Sequence, residues 1–454
     1  MRPLNAPAGP DQQPCSAQRR RLAGLLALTP WALGLKGCAG QRPDALPQTD
    51  FSAFRLTADF EPAAAVWLGW DAGHAGLSAR LVAALRPHVA LKVLASGPEA
   101  EAEARAGLAS HGQAGRDISL LSDPQAIYFV RDAAVFAIGP KGARAIIDFQ
   151  WSQYGLPGWC RQRHVDEPRR AAACAADADS ARDALDRQMA KLARTPTMAS
   201  NVALEGGGIE FNGQGLALVS QSYLLQRNPG HSRDDLEREL LRLPSLRKII
   251  WLAEGLAEDP LLRATVVGDY VAWGTGGHSD EFVRFADPRT VLLAWPDDAD
   301  AASHPVSRLS RQRMQRNFDI LSRAGDADGR PLRVIKLPTP RPIERRVYLS
   351  AAAQTTWSQE WTADFFPAAE RRWQGQRVTQ VACASYLNFV VANGVVVVPD
   401  YLPHGTPKAV QDRVKATFEQ VFPDRQLVWL DVLGYNWVGG GAHCATLNEP
   451  QSSS

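Results

Sequence analysis

The stretch 389–431 constrains the fold of this chain more than any other, because it predicts three elements in a fixed order. Two apolar runs lie on either side of Asn393-Gly394, a dipeptide typical of a two-residue type I′ hairpin turn. Thr406 then has the residue type of a helix cap, and Pro407 suits a first helical position. A further apolar run ends the stretch. We therefore predict a unit made of a hairpin, a helix and a strand.

Looser forms of the same unit occur four times earlier in the chain. Gly139-Pro140-Lys141-Gly142 and Asn212-Gly213 supply turn residues for two of them, and Ser232 with Asp235 forms a capping-box pattern. The helices are predicted at 77–89, 180–192, 232–241 and 306–323, and the strands at 65–68, 91–94, 133–138, 143–149, 208–211, 215–220, 248–252, 290–295 and 333–337. Five units indicate a closed, pseudo-symmetric α/β ring rather than a doubly wound sheet. An α+β sandwich of unrelated hairpins is the alternative.

Composition places the chain among ordinary globular proteins. Its 454 residues are 45% hydrophobic and 22% charged, enough for one large domain or two. The net charge is +2 and the two signs are interspersed, so no basic stripe indicates a nucleic-acid partner. We interpret three segments as insertions between units, namely 159–178, 258–276 and the Trp-rich 357–376. We expect these insertions to shape access to a site.

The N-terminal region resembles an export signal. Arg19–Arg21 precede an apolar run at 22–35 that is too short, and too interrupted by Pro30, to span a bilayer. The arginines resemble a twin-arginine signal, and 35–38 resembles a lipoprotein processing site, with an atypical Lys36 and a lipid anchor at Cys38. We predict an export signal over 1–38, a linker over 39–53, a catalytic domain over 54–450 and a tail over 451–454. A basic start leading into a surface helix is the alternative.

Six cysteines divide into two in the signal region and four in the body. Cys160 and Cys174 are close enough in sequence to close a short loop by a disulfide in an oxidising compartment. Cys383 and Cys444 lie in strand-like or glycine-rich surroundings, which favours free thiols. No CxxC spacing indicates a zinc site or a redox pair.

Cys444 is the candidate nucleophile. It follows Gly439-Gly440-Gly441 and His443, and three glycines allow a bound molecule to approach the backbone closely. A glycine-rich turn that carries a buried core cysteine is the alternative interpretation.

Other polar residues occupy matching positions beside the predicted hairpins, namely Asp132, Glu205, His278, Asp280 and Asn388. Each has a simpler interpretation alone, such as a local ion pair, a turn acceptor or a loop histidine. Together, a thiol, a histidine and several carboxylates suit attack on a cationic carbon. A guanidinium is the natural substrate, because carboxylates bind it through parallel N–H···O bonds.

Seven motifs resemble, in order, those of the agmatine deiminase and Porphyromonas-type peptidylarginine deiminase family. They are Val130-Arg131-Asp132, Asp148-Phe149-Gln150-Trp151, Glu205-Gly206-Gly207-Gly208, Arg227-Asn228-Pro229, Gly277-His278-Ser279-Asp280, Ser385-Tyr386-Leu387-Asn388-Phe389 and Gly439-Gly440-Gly441-Ala442-His443-Cys444-Ala445-Thr446. The resemblance covers about 54–450. It implies a five-bladed α/β propeller, or pentein, of the guanidine-modifying superfamily.

The resemblance also implies the roles of the site residues. Cys444 would attack the guanidinium carbon, His278 would protonate the departing ammonia and then activate water, and Asp132 and Asp280 would hold the guanidinium nitrogens. The product would carry a ureido group, and neither a metal nor an organic cofactor would be needed. Glu205 and Asn388 would contact the substrate or orient the other site residues.

The chain departs from the family pattern at three places. Phe129-Val130 replaces a tryptophan before the Arg-Asp pair, 273–276 replaces an acidic run, and 446–450 replaces a glutamine-bearing tail. These differences leave the deimination chemistry in place and keep agmatine, free arginine and peptidylarginine open as substrates. Export also bears on agmatine, because putrescine and polyamine synthesis is normally intracellular. A peptidylarginine deiminase acting on exported peptides is one alternative.

Two other classes of protein stay open. A metal-dependent hydrolase could use His278, Asp280, Glu205 and His443 as ligands, although their spacing matches no common metal motif and Cys444 would be unexplained. A non-catalytic periplasmic binder of arginine-like ligands would keep the carboxylates without needing the thiol. The sequence leaves the oligomeric state open.

Overall fold

The computed structural model describes residues 49–451, apart from 116, 125, 177–184, 352–359, 368–370 and 372. The predicted export signal, most of the linker, Cys38, Trp357 and the start of the helix predicted at 180–192 lie outside the described residues. No helix among the described residues combines the length and apolar character needed to cross a lipid bilayer.

The described strands and helices alternate along the chain. The strands are β1 (Arg55–Leu56), β2 (Ala63–Gly69), β3 (Ala90–Ala95), β4 (Ile118–Ser122), β5 (Val135–Ile138), β6 (Arg144–Gln150), β7 (Thr197–Ala203), β8 (Ile209–Phe211), β9 (Leu216–Ser220), β10 (Lys248–Leu252), β11 (Leu261–Val267), β12 (Tyr270–Thr275), β13 (Val283–Phe285), β14 (Thr290–Trp295), β15 (Arg333–Pro338), β16 (Glu344–Tyr348), β17 (Arg377–Val381), β18 (Val390–Ala392), β19 (Val395–Pro399), β20 (Gln426–Leu430) and β21 (Thr446–Pro450). The helices are α1 (Ala75–Leu85), α2 (Gly97–Ser110), α3 (Leu156–Arg163), α4 (Pro168–Ala176), α5 (Leu185–Ala193), α6 (Gln221–Arg227), α7 (Arg233–Leu240), α8 (Ser279–Phe282), α9 (Asp298–Ser303), α10 (Pro305–Leu321), α11 (Lys408–Val421) and α12 (Leu433–Asn436).

Five of the sheets share one pairing pattern, in which an antiparallel pair is followed by a parallel strand. Four of them, β5-β6-β7, β8-β9-β10, β13-β14-β15 and β18-β19-β20, take the three strands in chain order, and β1 extends the first of them. A parallel return needs a crossover, which α5, α7, α10 and α11 supply. The predicted succession of hairpin, helix and strand is therefore present.

The remaining sheet of this kind joins two regions that are distant in sequence. Its order is β21-β2-β3-β4, with β21 antiparallel to β2 and the other pairs parallel. The sequence predicted β2, α1 and β3 but no hairpin partner for β2, since local patterns carry no information on pairing between distant strands.

Two predicted local features of the clearest unit are wrong. Neither Asn393 nor Gly394 has a positive φ, which a type I′ turn requires at both positions. The Asn393 side chain instead accepts a hydrogen bond from Ala63 N at 3.0 Å and donates one to Ala63 O at 3.1 Å. These two bonds attach β2 to the turn. Helix α11 is preceded by Pro407, and Thr406 makes no capping bond there.

Other predicted turns and caps are confirmed. Ser232 and Asp235 form both hydrogen bonds of a capping box at the start of α7. Lys141 and Gly142 have φ values of 57° and 77°, as expected where a glycine-rich turn reverses the chain between β5 and β6.

The three predicted insertions lie close together in the fold. The segment 258–276 supplies β11 and β12 of a sixth sheet, of order β11-β12-β17-β16, and Trp361 of the segment 357–376 donates a hydrogen bond to Gln380 of β17. The segment 159–178 contributes α3 and α4, which the predicted Cys160–Cys174 disulfide joins with Cα atoms 5.7 Å apart. Trp159 of α3 packs in one hydrophobic cluster with Leu262 and Trp361.

Candidate active site

The three glycines before Cys444 are explained by close approaches of other residues. Gly439 has a φ of 84°, and its missing Cβ would stand 2.9 Å from the backbone of Gly274. A Cβ on Gly440 would stand 2.3 Å from the Phe129 ring, and one on Gly441 would stand 2.4 Å from Asn388 Oδ1. The glycines thus allow the loop to press against its neighbours and place Cys444 in a buried position, only 2% exposed.

The Cys444 thiol faces one amide and two carboxylates. Asn388 Nδ2 donates to Sγ at 3.1 Å, while Sγ lies 3.5 Å from Asp280 Oδ2 and 3.8 Å from Glu281 Oε1. These two carboxylates belong to α8, a single turn that directly follows His278. Cys383 is also a buried free thiol, as predicted.

His278, Asp132 and Asp280 converge on a single point. A Cβ on Gly207 would stand 2.9 Å from His278 Nδ1, 3.0 Å from Asp132 Oδ1 and 3.0 Å from Asp280 Oδ2. Glycine is needed there for space, and its N–H donates to Asp132 Oδ1 at 3.0 Å. The structure therefore brings together four residues that the sequence predicted for the site, Cys444 included.

Asp259 fixes the loop that carries His278. Its Oδ2 accepts hydrogen bonds from Gly277 N at 3.0 Å and His278 N at 3.1 Å, and Gly276 and Gly277 have φ values of 92° and 101°. Gly276 and Gly277 are thus required by the backbone conformation of this loop, and not by contact with a ligand.

Glu205 and Asn388 act as orienting residues in the geometry of the site. Glu205 is fully buried, pairs with Arg227 Nε at 2.8 Å, accepts from Tyr223 OH at 2.8 Å and lies 3.3 Å from His278 Nε2. Asn388 Nδ2 donates to Glu281 Oε1 at 2.7 Å as well as to the thiol, and Asn388 Oδ1 accepts from His443 N at 2.8 Å. Of the two roles the sequence left open for these residues, the contacts favour orientation.

Negative charge dominates the electrostatics around the thiol. Burial raises the pKa of Cys444 well above its ordinary value, and Asp280, Glu281 and Asp132 raise it further. The sequence led us to expect a thiolate favoured by a nearby imidazolium and by a cationic substrate. Burial and these carboxylates instead favour the protonated thiol.

The other groups respond to the same surroundings. Burial raises the pKa of Asp132 to about 6, although His278 opposes the change. Burial also raises the pKa of Glu281 well above the ordinary value, and Asp280 adds to that effect. For His278, burial lowers the pKa, but Asp132 and Glu205 outweigh it and the net shift is upward. His278 therefore favours its protonated form.

Several polar atoms of the site have no hydrogen-bond partner among the described residues. They are His278 Nδ1, Asp280 Oδ1 and Glu281 Oε2, all buried. Buried polar atoms are nearly always satisfied in folded proteins, and His278 Nδ1 lies beside the position of the missing Gly207 Cβ, which indicates space for a ligand at that atom. These atoms offer two acceptors and one donor.

An aromatic cavity of about 440 Å³ adjoins the site. Tyr154 lines it and donates from its hydroxyl to Asp132 Oδ2 at 3.0 Å, which connects the cavity to the carboxylates. Among the described residues, the lining contains no acidic or basic side chain and consists of Trp70, Ser96, Ala126, Ile127, Tyr128, Phe129, Trp151, Gln153, Tyr154, Leu262, Trp273, Gly274, Thr275, Val438 and Gly439. The insertion at 258–276 thus shapes access to the site.

Sequence reasoning missed several residues that complete this site. Glu281 lies next to Asp280 in the quoted motif, and Arg227 begins another quoted motif, yet neither received a role. Tyr154, Asp259 and Asp59 lie outside the motifs, and only their position in the fold shows that they belong to the site.

The metal-ligand set considered from the sequence does not assemble. Among the described residues, the compact groups of metal-ligand types are Asp59, Glu210 and His443 in one place, and Asp280, Glu281 and Cys444 in another. His278 and Glu205 belong to neither group. His443 lies instead with Asp59 and Asp280, within hydrogen-bond distance of both.

Known proteins resemble the chain over nearly all of the described part. Agmatine deiminase of Medicago truncatula is 27% identical over 421 residues, covering 88% of this chain and 97% of the relative. Agmatine deiminase of Ectopseudomonas mendocina is 31% identical over 329 residues, covering 71% and 74%. The structure of an agmatine deiminase from Enterococcus faecalis superposes with a TM-score of 0.65 at 22% identity, over 88% of this chain and 96% of the other.

These structural neighbours show the mixed α/β fold of the pentein family. The family model of the Porphyromonas-type peptidyl-arginine deiminases matches residues 55–450. The match spans the strands and loops that position Asp132, Glu205, His278, Asp280, Asn388 and Cys444. The chain belongs to the Porphyromonas-type peptidyl-arginine deiminase family.

Proposed function

We propose that this chain is a hydrolase acting on a C–N bond of a linear amidine, and that it deiminates a guanidinium substrate, agmatine or an arginine derivative. One observation carries the proposal: a thiol, a histidine and carboxylates without a lysine or arginine partner lie together in one buried place, and several of their polar atoms have no hydrogen-bond partner among the described residues. The names of the relatives, agmatine deiminases, agree with this activity.

Substrate binding follows from the charges. Asp132, Asp280 and Glu281 form no ion pair with lysine or arginine among the described residues, so a guanidinium would supply the missing cation. Asp280 Oδ1 and Glu281 Oε2 are the acceptors that have room for its N–H groups. The same cation lowers the pKa of Cys444, because it offsets the carboxylates that raise it in the empty site.

The chemical steps balance without a cofactor. The thiol proton passes to a neighbouring carboxylate, the Cys444 Sγ–C bond forms at the guanidinium carbon, and the C–N bond breaks as His278 protonates the leaving nitrogen. Water then attacks the thiouronium carbon and His278 takes one of its protons. The C–S bond breaks to give the ureido product, whose remaining hydroxyl proton passes to solvent, and the carboxyl group returns its proton to the Cys444 thiolate. His278 Nδ1 is the ring atom that faces the site, since Nε2 contacts Glu205.

The nucleophile can be tested with a matched pair of variants. Cys444→Ala should reduce ammonia release from guanidine substrates by ~10³-fold or more, because no other group in the site can form the covalent bond. Cys383→Ala, at the other buried free thiol, should retain the wild-type rate. Near wild-type ammonia release by Cys444→Ala, or unchanged turnover after iodoacetamide, would overturn the mechanism. No ammonia release from any guanidine substrate would favour the non-catalytic binder.

A peptidylarginine or other acylated arginine is a second candidate substrate, favoured by the uncharged lining of the aromatic cavity. The ammonium of agmatine would find no carboxylate among the described residues of that lining. One face of Trp273 already carries the buried Arg263 guanidinium, 3.7 Å from the ring centroid, and this charge disfavours a second cation nearby.

Specificity constants for three substrates test this choice. We expect kcat/KM for an N-acyl-arginine amide to exceed that for agmatine and for free arginine, because only the acylated compound has a neutral remainder. A higher kcat/KM for agmatine would assign the chain to amine substrates. The neutral variant Asp132→Asn should lower all three values alike, because it acts at the shared guanidinium group.

We further propose that the five sheets close into a five-bladed α/β propeller with pseudo-fivefold symmetry. The shared pairing pattern and the antiparallel pairing of β21 with β2 support this arrangement. An experimental structure in which the five sheets lie in an open row, or in stacked layers, would contradict it.

Export is supported by the Cys160–Cys174 disulfide, because disulfides persist mainly in oxidising compartments. We propose a mature protein that begins near residue 38 in the periplasm or outside the cell, with Cys38 as a candidate lipid anchor. Intact-mass measurement on protein from the native host would show the processed N-terminus and any lipid. Cytoplasmic protein that keeps residues 1–30 would contradict export.

A further inference from the structure

A buried charge network continues from Asp280 to a second cavity. His443 Nδ1 lies 2.7 Å from Asp280 Oδ2, the same oxygen that contacts the Cys444 thiol. The other ring nitrogen, Nε2, lies 2.5 Å from Asp59 Oδ2. A single imidazole therefore connects a carboxylate of the site with a carboxylate outside it.

The geometry of this trio accommodates two protons. Each nitrogen–oxygen distance is that of a hydrogen bond, which needs one hydrogen on either atom. With a hydrogen in each contact, Asp59, His443 and Asp280 carry one net negative charge. Loss of either proton would leave a nitrogen and a carboxylate oxygen, both acceptors, facing each other in a buried place.

Asp59 lies between two arginines. Arg131 Nη1 contacts Asp59 Oδ1 at 3.1 Å, and Arg284 Nη2 contacts Asp59 Oδ2 at 2.9 Å. Burial alone would raise the pKa of Asp59, but Arg131, His443 and Arg284 outweigh it and lower the pKa. Burial and the two arginines lower the pKa of His443, so the second proton of the trio is the first to be lost as the pH rises.

The end of the network at Asp59 is within reach of solvent. Asp59, Arg131, Glu210 and His443 line a polar cavity of about 40 Å³, and the Asp59 side chain is 17% exposed. The charged and titratable groups that surround His443 are Asp59, Arg131, Glu210, Asp280, Glu281, Arg284 and Cys444. Asp59 and Glu210 both form ion pairs with Arg284, so each carboxylate has a counter-charge.

We propose that His443 is a positioning residue for Asp280, and that Asp59 sets the charge which His443 presents to the thiol site. The inference rests on the proposed deimination for its kinetic test only. His443 holds Asp280 Oδ2 in place and leaves Oδ1 open for a guanidinium. A change of charge at Asp59 is thereby transmitted to Cys444 through hydrogen bonds rather than through direct contact.

The test compares two carboxylates, Asp59 and Glu449, that each pair with two cations. Asp59→Asn removes a negative charge beside His443, so the alkaline limb of kcat/KM should move to lower pH, with a ~10-fold or greater loss in rate. The pH midpoint for iodoacetamide alkylation of Cys444 should move in the same direction. Glu449→Gln, which removes a carboxylate paired with Lys92 and Arg144, should leave both midpoints unchanged.

Two further variants separate coupling from a structural effect. Asp59→Glu restores the charge and should restore the wild-type midpoints. In a His443→Gln background, the Asp59→Asn change should no longer move the alkylation midpoint, because the imidazole that transmits it is missing. An equal shift in that background, or equal shifts in Asp59→Asn and Glu449→Gln, would overturn the proposal.

The alkylation test also separates this inference from the proposed function. A shifted alkylation midpoint in an enzyme that releases no ammonia from any guanidine would support the network and refute deimination. Ammonia release by an enzyme whose alkylation midpoint is unchanged in Asp59→Asn would support deimination and refute the network.

Discussion

Two groups of buried carboxylates adjoin the candidate site and differ in their counter-charges. Glu205 has a full set of partners, with the buried Arg227 guanidinium, the Tyr223 hydroxyl and His278 around it. Asp132 and Glu281 form no ion pair with lysine or arginine among the described residues. Glu205 has its counter-charges within the structure, whereas Asp132 and Glu281 would gain such a partner only from a bound cation.

The pKa values express the same difference. Burial would raise the pKa of Glu205, but Arg227 and His278 outweigh it and hold the value at about 2. For Asp132, burial raises the pKa to about 6, and His278 opposes this only in part. The comparison shows that burial alone does not mark a functional carboxylate. The absence of a lysine or arginine partner is what distinguishes Asp132 and Glu281 from Glu205.

The largest expected effect concerns Arg227. Arg227→Met should lower the free energy of unfolding by about 3–5 kcal/mol, because it leaves the Glu205 carboxylate buried without a counter-charge. Urea unfolding of the variant measures the loss. The double variant Arg227→Met with Glu205→Gln should recover most of it, and a single-variant loss below about 1 kcal/mol would remove the distinction between the two groups.

The pH dependence of stability should have opposite signs in the two groups. Asp132 has a raised pKa in the folded state, so its ionisation destabilises the fold above about pH 6, on the order of 3 kcal/mol. Asp132→Asn should therefore be more stable than the wild type at pH 7, with the advantage vanishing as the pH falls to about 4.

Glu205→Gln provides the opposite case. The pKa of Glu205 is lowered on folding, so its stabilising effect is present above about pH 4.5 and is lost as the pH falls towards 2. The variant should be less stable than the wild type at pH 7. Urea unfolding of both variants from pH 3 to pH 8 provides the measurement, and parallel curves would contradict the assignment.

Gly207→Ala tests whether the open space belongs to the substrate. The new Cβ would stand 2.9–3.0 Å from His278, Asp132 and Asp280, where the guanidinium is expected to bind. We expect a ~100-fold loss in kcat/KM, equivalent to about 2.7 kcal/mol. Gly158→Ala, whose Cβ would meet its nearest neighbour at 3.6 Å, should retain wild-type activity. Full activity of Gly207→Ala would exclude this point as the binding position.

The smallest effect is expected at Glu281. Its pKa is raised well above the ordinary value by burial and by Asp280, so Glu281→Gln resembles the protonated side chain of the empty enzyme. The free energy of unfolding should change by less than about 1 kcal/mol. Substrate affinity, measured by calorimetry in the Cys444→Ala background, should fall about tenfold because one counter-charge is lost. A large loss of stability would show that Glu281, like Glu205, contributes to the stability of the fold.

The sequence predicted the hairpins, helices and strands of four units because local patterns determine them, but it did not predict the distant partner of β2. It also predicted Cys444, His278, Asp132 and Asp280, which lie in short motifs with recognisable chemistry. It did not predict Tyr154 or Asp59, because their roles depend on which distant residues the fold brings against them. Asn393 shows the same limit, since a residue typical of a tight turn instead tethers a neighbouring strand.

The pairing of β21 with β2 bears on how the enzyme becomes active during folding. Trp67 of β2 donates a hydrogen bond to Glu449 of β21 across 382 residues of chain, and Cys444 stands directly before β21. Closing a loop of that length costs about 5 kcal/mol of chain entropy, a cost that only extensive prior folding can offset. The nucleophile is therefore placed by one of the most long-range contacts of the chain. A partly folded intermediate would hold its thiol away from the carboxylates, and the onset of catalysis would report completion of the whole fold.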